Sequence, residues 1–141
     1  MADIVEFSPS DAQKLDDALN RFNDAAIPFT QAKPFVRLCF GVRREDGSVD
    51  AGINALLYAW GILYIDAFWV DEPLRHRGLG TQLLKKVETE AKKLGCTLSH
   101  LDTFDFQARD FYERNGYELF GTLDDCPPGH KRYYLKKSLR L

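Results

Sequence analysis

The stretch Val70 to Thr81, VDEPLRHRGLGT, carries the strongest chemical signal in the chain. Strand-like sequence, Gly61 to Val70, precedes it and a helical pattern follows, so its glycines fall where a strand hands over to a helix. The first N–H groups of a helix have no intrahelical partner and sit at the positive end of its dipole, which suits an anion. Arg75 and Arg77 add charge there, and glycine at 78 and 80 lets a phosphate approach the backbone amides of Gly78, Leu79, Gly80 and Thr81. A turn that only rounds a corner is the bland alternative, and the two arginines weigh against it. A Walker-type loop needs a lysine between its last glycine and the hydroxyl residue, yet Gly80 is followed directly by Thr81. The dinucleotide fingerprint needs a third glycine where Leu83 stands. Neither nucleotide motif is met.

Two other side chains could do chemistry. Strand alternation places Tyr64, Asp66, Phe68 and Val70 on one face and Leu63, Ile65, Ala67 and Trp69 on the other. Asp66 is then a carboxylate in a mostly buried strand, where burial would raise its pKa toward that of a useful base. A carboxylate satisfied by tyrosine or backbone hydrogen bonds is an equal alternative. Tyr112 lies in a short helical stretch, Gln107 to Asn115, where a core aromatic is the ordinary expectation. The three cysteines, Cys39, Cys96 and Cys126, are odd in number and widely spaced, so they form neither a disulfide framework nor a zinc site. No metal is expected.

The elements that must hold these residues follow from periodicity. Ile4 to Phe7 reads as a first strand, and Ser10 with Gln13 as the capping box of a helix carrying Leu15, Ala18, Leu19 and Phe22 on a buried face. Asn23 to Lys33 reads as a loop or broken helix. Phe35 to Val42 and Val49 to Leu57 form a hairpin around Asp46-Gly47, and Leu63 to Val70 is the fourth strand. Leu79, Leu83, Leu84, Val87, Ala91 and Leu94 make one apolar stripe on the next helix, which stops at Gly95. Thr97 to Phe104 is a fifth strand. Asp105 caps the short helix, which stops at Gly116, and Tyr117 to Leu123 and Tyr133 to Leu139 are the last strands. The order predicts an α/β (α+β) fold, with a mixed central sheet of six to seven strands flanked by helices in a single domain spanning 1–141.

Arg75-x-x-Gly78-x-Gly80 resembles the R/Q-x-x-G-x-G/A signature of the GCN5-related N-acetyltransferases (GNAT), and Gln107 to Tyr117, QARDFYERNGY, resembles their N-x-x-A-x-x-[FL]-Y-x-x-x-G-[FY] helix. The resemblance covers essentially the whole chain. It implies that the glycine turn holds the pyrophosphate of acetyl-CoA and that strands four and five splay apart around the pantetheine arm, which pairs with backbone near Trp69 and Val70 and contacts Gln107. It also implies an oxyanion held by an N–H near Val70 and a proton given to the leaving thiolate by Tyr112. An alkylamine of pKa about 10.4 is mostly protonated at neutral pH, so delivery of the free amine calls for a base; Asp66 is the first candidate, with Asp102, Asp105 and His130 behind it.

Tyr58, Trp60, Tyr64, Asp66 and the loop Asp124 to His130 suggest an aromatic, acidic pocket for a small cationic amine. The tyrosines could equally face a second subunit, and the family often forms dimers, so a homodimer is the implied assembly. A protein lysine or N-terminus is the alternative acceptor, and a non-catalytic CoA-binding regulator the alternative function. The formal net charge of −2 and the lack of a long Lys/Arg tract predict no nucleic-acid partner. No apolar run reaches the ~20 residues that span a bilayer, and the N-terminus, with Asp3 and Glu6, lacks a leader pattern. No membrane partner and a cytoplasmic location are expected.

Overall fold

The structure, a computed structural model, describes residues 2–140. They divide into two compact units, one ending at Thr30 and the other beginning at Gln31. The first unit is built on helix α1, Pro9–Ala26. Its cap is Ser8, not Ser10: Ser8 Oγ accepts from Asp11 N at 3.1 Å and Asp11 Oδ2 accepts from Ser8 N at 3.2 Å. Pro9 decides this, because its missing N–H and fixed φ suit the first helical position. The helix runs through Asn23-Asp24, where a loop is expected from the sequence. Ile4 to Phe7 forms no strand, since a strand needs a ladder partner for its backbone. The expected buried face of α1 is also absent: Leu15, Leu19 and Phe22 are exposed.

The second unit is a six-stranded sheet in the order β1-β2-β3-β4-β6-β5. Its strands are β1 (Phe35–Arg43), β2 (Val49–Tyr58), β3 (Ile62–Val70), β4 (Leu98–Phe104), β5 (Glu118–Asp124) and β6 (Lys131–Ser138). Every pairing is antiparallel except β3 with β4, which is parallel and joined through helix α2, Leu79–Lys93. The mixed sheet with flanking helices is the α+β arrangement that the periodicity predicts. Gly61 takes φ +72°, and a Cβ there would stand 3.1 Å from the carbonyl oxygen of Gly95, so the entry to β3 requires glycine twice over.

One face of the sheet carries the core. Ile53, Leu57, Leu63 and Leu101 meet Leu84 and Val87 of α2, all fully buried. The short helix α3, Arg109–Arg114, lies on the same side. A polar knot is buried there too. Ser99 of β4 donates to Tyr117 Oη at 2.7 Å, Tyr117 donates to Glu88 of α2 at 2.8 Å, and Lys137 of β6 donates to Glu88 at 2.9 Å and to the Asn115 carbonyl at 2.9 Å. Glu88 is only 5% exposed, so its charge depends on these donors. The opposite face, with Arg37, Tyr58, Tyr64, His100 and Arg132, carries no helix of this unit among the described residues.

Removing one partner of a buried pair leaves an uncompensated charge. Lys137→Met is therefore expected to destabilise the fold by about 2 to 3 kcal/mol, and the double variant Lys137→Met with Glu88→Leu to recover much of that loss. Urea unfolding of the three proteins measures both.

Candidate active site

β3 and β4 pair only from Ile62↔Leu98 to Ile65↔Leu101. Beyond that point Ala67–Val70 pair with β2 alone and Asp102–Phe104 with β6 alone, so the two strands part as a fork. The divergence starts at a β-bulge. Ile65 faces Ala55 and Ala67 faces Asn54, which leaves Asp66 as the extra residue. A bulge bends its strand and increases local twist, so the break in pairing and the bend coincide. It also shifts the alternation by one residue. Phe68 and Val70 pack on the core with Leu63 and Ile65, contrary to the simple alternation of the sequence, and Trp69 is left half exposed.

The fork opens into a cleft of about 1050 Å³. Asp66, Trp69 and Val70 line one side, Gly78, Gly80 and Thr81 the end, and Gln107 and Tyr112 the other side. The sequence scatters these residues over more than forty positions and the fold gathers them. Two expected cofactor residues are not on the wall: Leu79 packs against the core, and the Arg77 side chain stands outside. Their backbone amides still belong to the turn.

That turn has the geometry of an anion cradle. His76 at φ +63° and Gly78 at φ +80° curl the chain, and Gly78 caps α2 without a side-chain bond. The first helical bond runs from Gln82 N to the Gly78 carbonyl at 3.0 Å, so the N–H groups of Leu79, Gly80 and Thr81 have no partner within the helix. No acidic residue occupies the first turn of α2. Arg75 braces the loop by donating from Nε to the Val70 carbonyl at 2.8 Å. Gly80 is also needed for packing, because a Cβ would lie 3.2 Å from the Phe111 ring.

Tyr112 is 8% exposed, with Phe68, Phe111 and Tyr117 each edge-on or nearly so to its ring. Burial pushes its pKa up from 10.0 to about 12, helped by the Asp102 charge, so at neutral pH it is a neutral phenol with a proton to give. Gln107 turns its side-chain oxygen inward, accepting from Phe104 N at 2.8 Å and Thr103 Oγ1 at 3.1 Å. It therefore holds the turn after β4. Asp105 does not cap α3. Its carboxylate accepts from His130 Nδ1 at 2.9 Å and Lys131 N at 3.0 Å, tying down the loop before β6.

Asp66 departs from the expectation of burial. Its side chain is 35% exposed and pairs with Arg37 at 3.0 Å. Asp102, across the fork, is bound by Arg132 through Nε at 2.9 Å and through a terminal nitrogen, and accepts from the Tyr64 hydroxyl at 2.9 Å. These two carboxylates of the cleft are thus each paired with an arginine that stands outside its wall. Arg37 and Arg132 are absent from the sequence-based site, although one signal was available: Val36, Leu38 and Phe40 alternate toward the core, which leaves Arg37 on the face of Tyr64.

The acetyltransferase (GNAT) family profile matches residues 5–117. The chain belongs to this acetyltransferase family. Among its GNAT relatives, the blasticidin-S acetyltransferase of Streptomyces morookaense is 35% identical over 113 residues, 79% of this chain and 82% of that one. An acetyltransferase of Agrobacterium fabrum is 34% identical over 96 residues, 68% and 69% of the two chains. The crystal structure of an acetyltransferase from Bacillus cereus superposes with a TM-score of 0.87 at 32% identity, covering 97% of each chain. Among the described residues no group of three or more His, Cys, Asp or Glu could hold a metal.

The tyrosines give a measurable signature. Burial raises Tyr64 to about 12 as well, with the hydrogen bond to Asp102 adding to it, and raises Tyr117 further. A group whose folded pKa lies above its unfolded value contributes stability that is present below the unfolded pKa and lost as pH rises through the folded one. Stability should fall steeply between pH 10 and about 12. Tyr112→Phe should make that fall shallower and remove one late phenolate from an absorbance titration at 295 nm.

Proposed function

We propose that this acetyltransferase carries the acetyl group of acetyl-CoA to the primary amine of a small molecule, by direct attack of the amine on the thioester. The observation that carries the proposal is the fork itself: it ends at a cradle of free amides and has a neutral, buried Tyr112 on its wall. The pyrophosphate would rest on the amides of residues 78–81, with Arg75 beside it. The pantetheine arm would lie in the fork along the backbone of Trp69 and Val70, which β4 does not pair and whose Val70 carbonyl is held by Arg75.

The amine arrives as an ammonium and gives its proton to Asp66, directly or through water. Its lone pair then forms the C–N bond, and the oxyanion is held by an N–H near Val70. As the intermediate collapses the C–S bond breaks, and Tyr112 gives its proton to the sulfur. After attack the nitrogen loses a second proton, which returns to Tyr112 through water, while the first passes from Asp66 to solvent, so each turnover releases one proton. The name of the blasticidin-S acetyltransferase supports a small-molecule acceptor. A CoA-binding regulator without turnover would have no use for a neutral phenol in the cleft, and retention of Tyr112 weighs against it.

Acetyl-CoA should raise the melting temperature, and Gly80→Trp should abolish that shift because its side chain fills the end of the cleft. With a good acceptor Tyr112→Phe should lower kcat about 100-fold while leaving the KM for acetyl-CoA near wild type. Free-thiol release across a panel of amines reads both quantities. Full turnover by Tyr112→Phe removes it as the acid, and an unchanged pH–rate profile for Asp66→Asn removes Asp66 as the base.

A further inference from the structure

Two of the five carboxylates that line the cleft, Asp66 and Asp102, where β3 and β4 part, come with their own arginine. Asp66, the bulge residue of β3, is joined to Arg37 of β1 at 3.0 Å, and Asp102 of β4 to Arg132 of β6. The carboxylates line the cleft, and the arginines stand just beyond them on the sheet face that lacks a helix of this unit. Each arginine retains exposure, 52% for the Arg37 side chain and 32% for Arg132. The bond from Arg37 to Asp66 uses one of the five N–H donors that a guanidinium carries. Tyr58 and His100, sharing a hydrogen bond of 2.9 Å, and Tyr64, whose ring lies 5.1 Å from that of His100 and whose hydroxyl donates to Asp102, lie on the same sheet face.

Such a site gives little net attraction to a plain cation. An incoming polyamine gains a carboxylate but meets an arginine at the same step. A molecule carrying both an amine and an anionic group gains at both, because it can exchange with a preformed pair: its ammonium takes the carboxylate and its anion takes the guanidinium fork. We infer that the acceptor is a zwitterion, an amino acid or a derivative of one, whose carboxylate is bound by Arg37 or Arg132 while its amine faces Asp66 at the fork. Binding and reaction are then linked. When the acceptor's carboxylate engages Arg37, Asp66 is released from its ion pair and becomes available to the amine. This inference rests on the acetyltransferase reading of the cleft and narrows its substrate class.

The test is thiol release from acetyl-CoA with matched pairs of acceptors that differ only in the carboxylate: lysine against cadaverine, arginine against agmatine, and 6-aminohexanoate against hexylamine. The expected result is a kcat/KM at least about tenfold higher for the carboxylate-bearing member of at least one pair, the size of one charged hydrogen bond. Arg37→Gln, or Arg132→Gln on the other pair, should bring that ratio toward one by raising the acceptor KM and not the acetyl-CoA KM. Arg37 lies on an exposed part of β1, so its variant is the safer one for folding. Equal or better turnover of the decarboxylated partners in every pair overturns the zwitterion inference and leaves the acetyltransferase reading standing. Ratios that neither arginine variant changes overturn the assignment of the arginines. If acetyl-CoA neither binds nor is turned over with any amine, both the inference and the reading beneath it fall.

Discussion

The parallel pairing of β3 with β4 lasts four residue pairs and then stops, and the rest of the site depends on that interruption. A continuous ladder would occupy the backbone of both strands and close the sheet. Here each strand keeps its outer partner, β2 or β6, so the inner edges part without exposing a free sheet edge to other chains. The bulge at Asp66 makes this local, because one extra residue bends β3 while its antiparallel register with β2 resumes at once. An opening of this kind does not need a hinge.

Around the fork, charge is distributed in two ways. On the side of α2, attraction for an anion comes from helix geometry and the amides of a glycine turn, with no acid in the first turn to oppose it. On the other face, carboxylates and guanidiniums are matched in pairs. A donor with several phosphates and an acceptor with a reactive amine make opposite demands on a protein surface. Separating a dipole field from paired side chains meets both within one cleft.

Much of this was legible in the sequence because the relevant signals are local. Glycine at 78 and 80 after a strand, an apolar stripe on the next helix and a glycine stop at 95 each concern neighbours in the chain, and the structure has them in place except at Leu94, which caps the helix and is half exposed. Tyr112 was found by likeness to a family motif, and the fold puts it on the cleft wall. What was missed is non-local. The bulge arises from a register between β2 and β3 that no composition encodes, and it is the reason that alternation misplaced Phe68 and Val70 and overstated the burial of Asp66. The partners of Asp66 and Asp102 lie 29 and 30 residues away in the chain, beyond the reach of any motif. At the N-terminus, Pro9 overrode the Ser10 capping pattern by a preference of its own, and Ile4 to Phe7 had strand composition without a partner strand.

The buried knot of Ser99, Tyr117, Glu88 and Lys137 bears on more than stability. Glu88 is on the helix whose first turn leaves its amides without a partner in the helix, and the Tyr117 N–H donates to the carbonyl of Tyr112 at 3.0 Å. The knot thus welds α2, β4 and the helix of Tyr112 into one frame. Ordering a loop or a side chain on binding has an entropic cost that subtracts from affinity, and a welded frame has little left to order. On the proposed reading, most of the freedom lost when a long, flexible donor settles would then be its own.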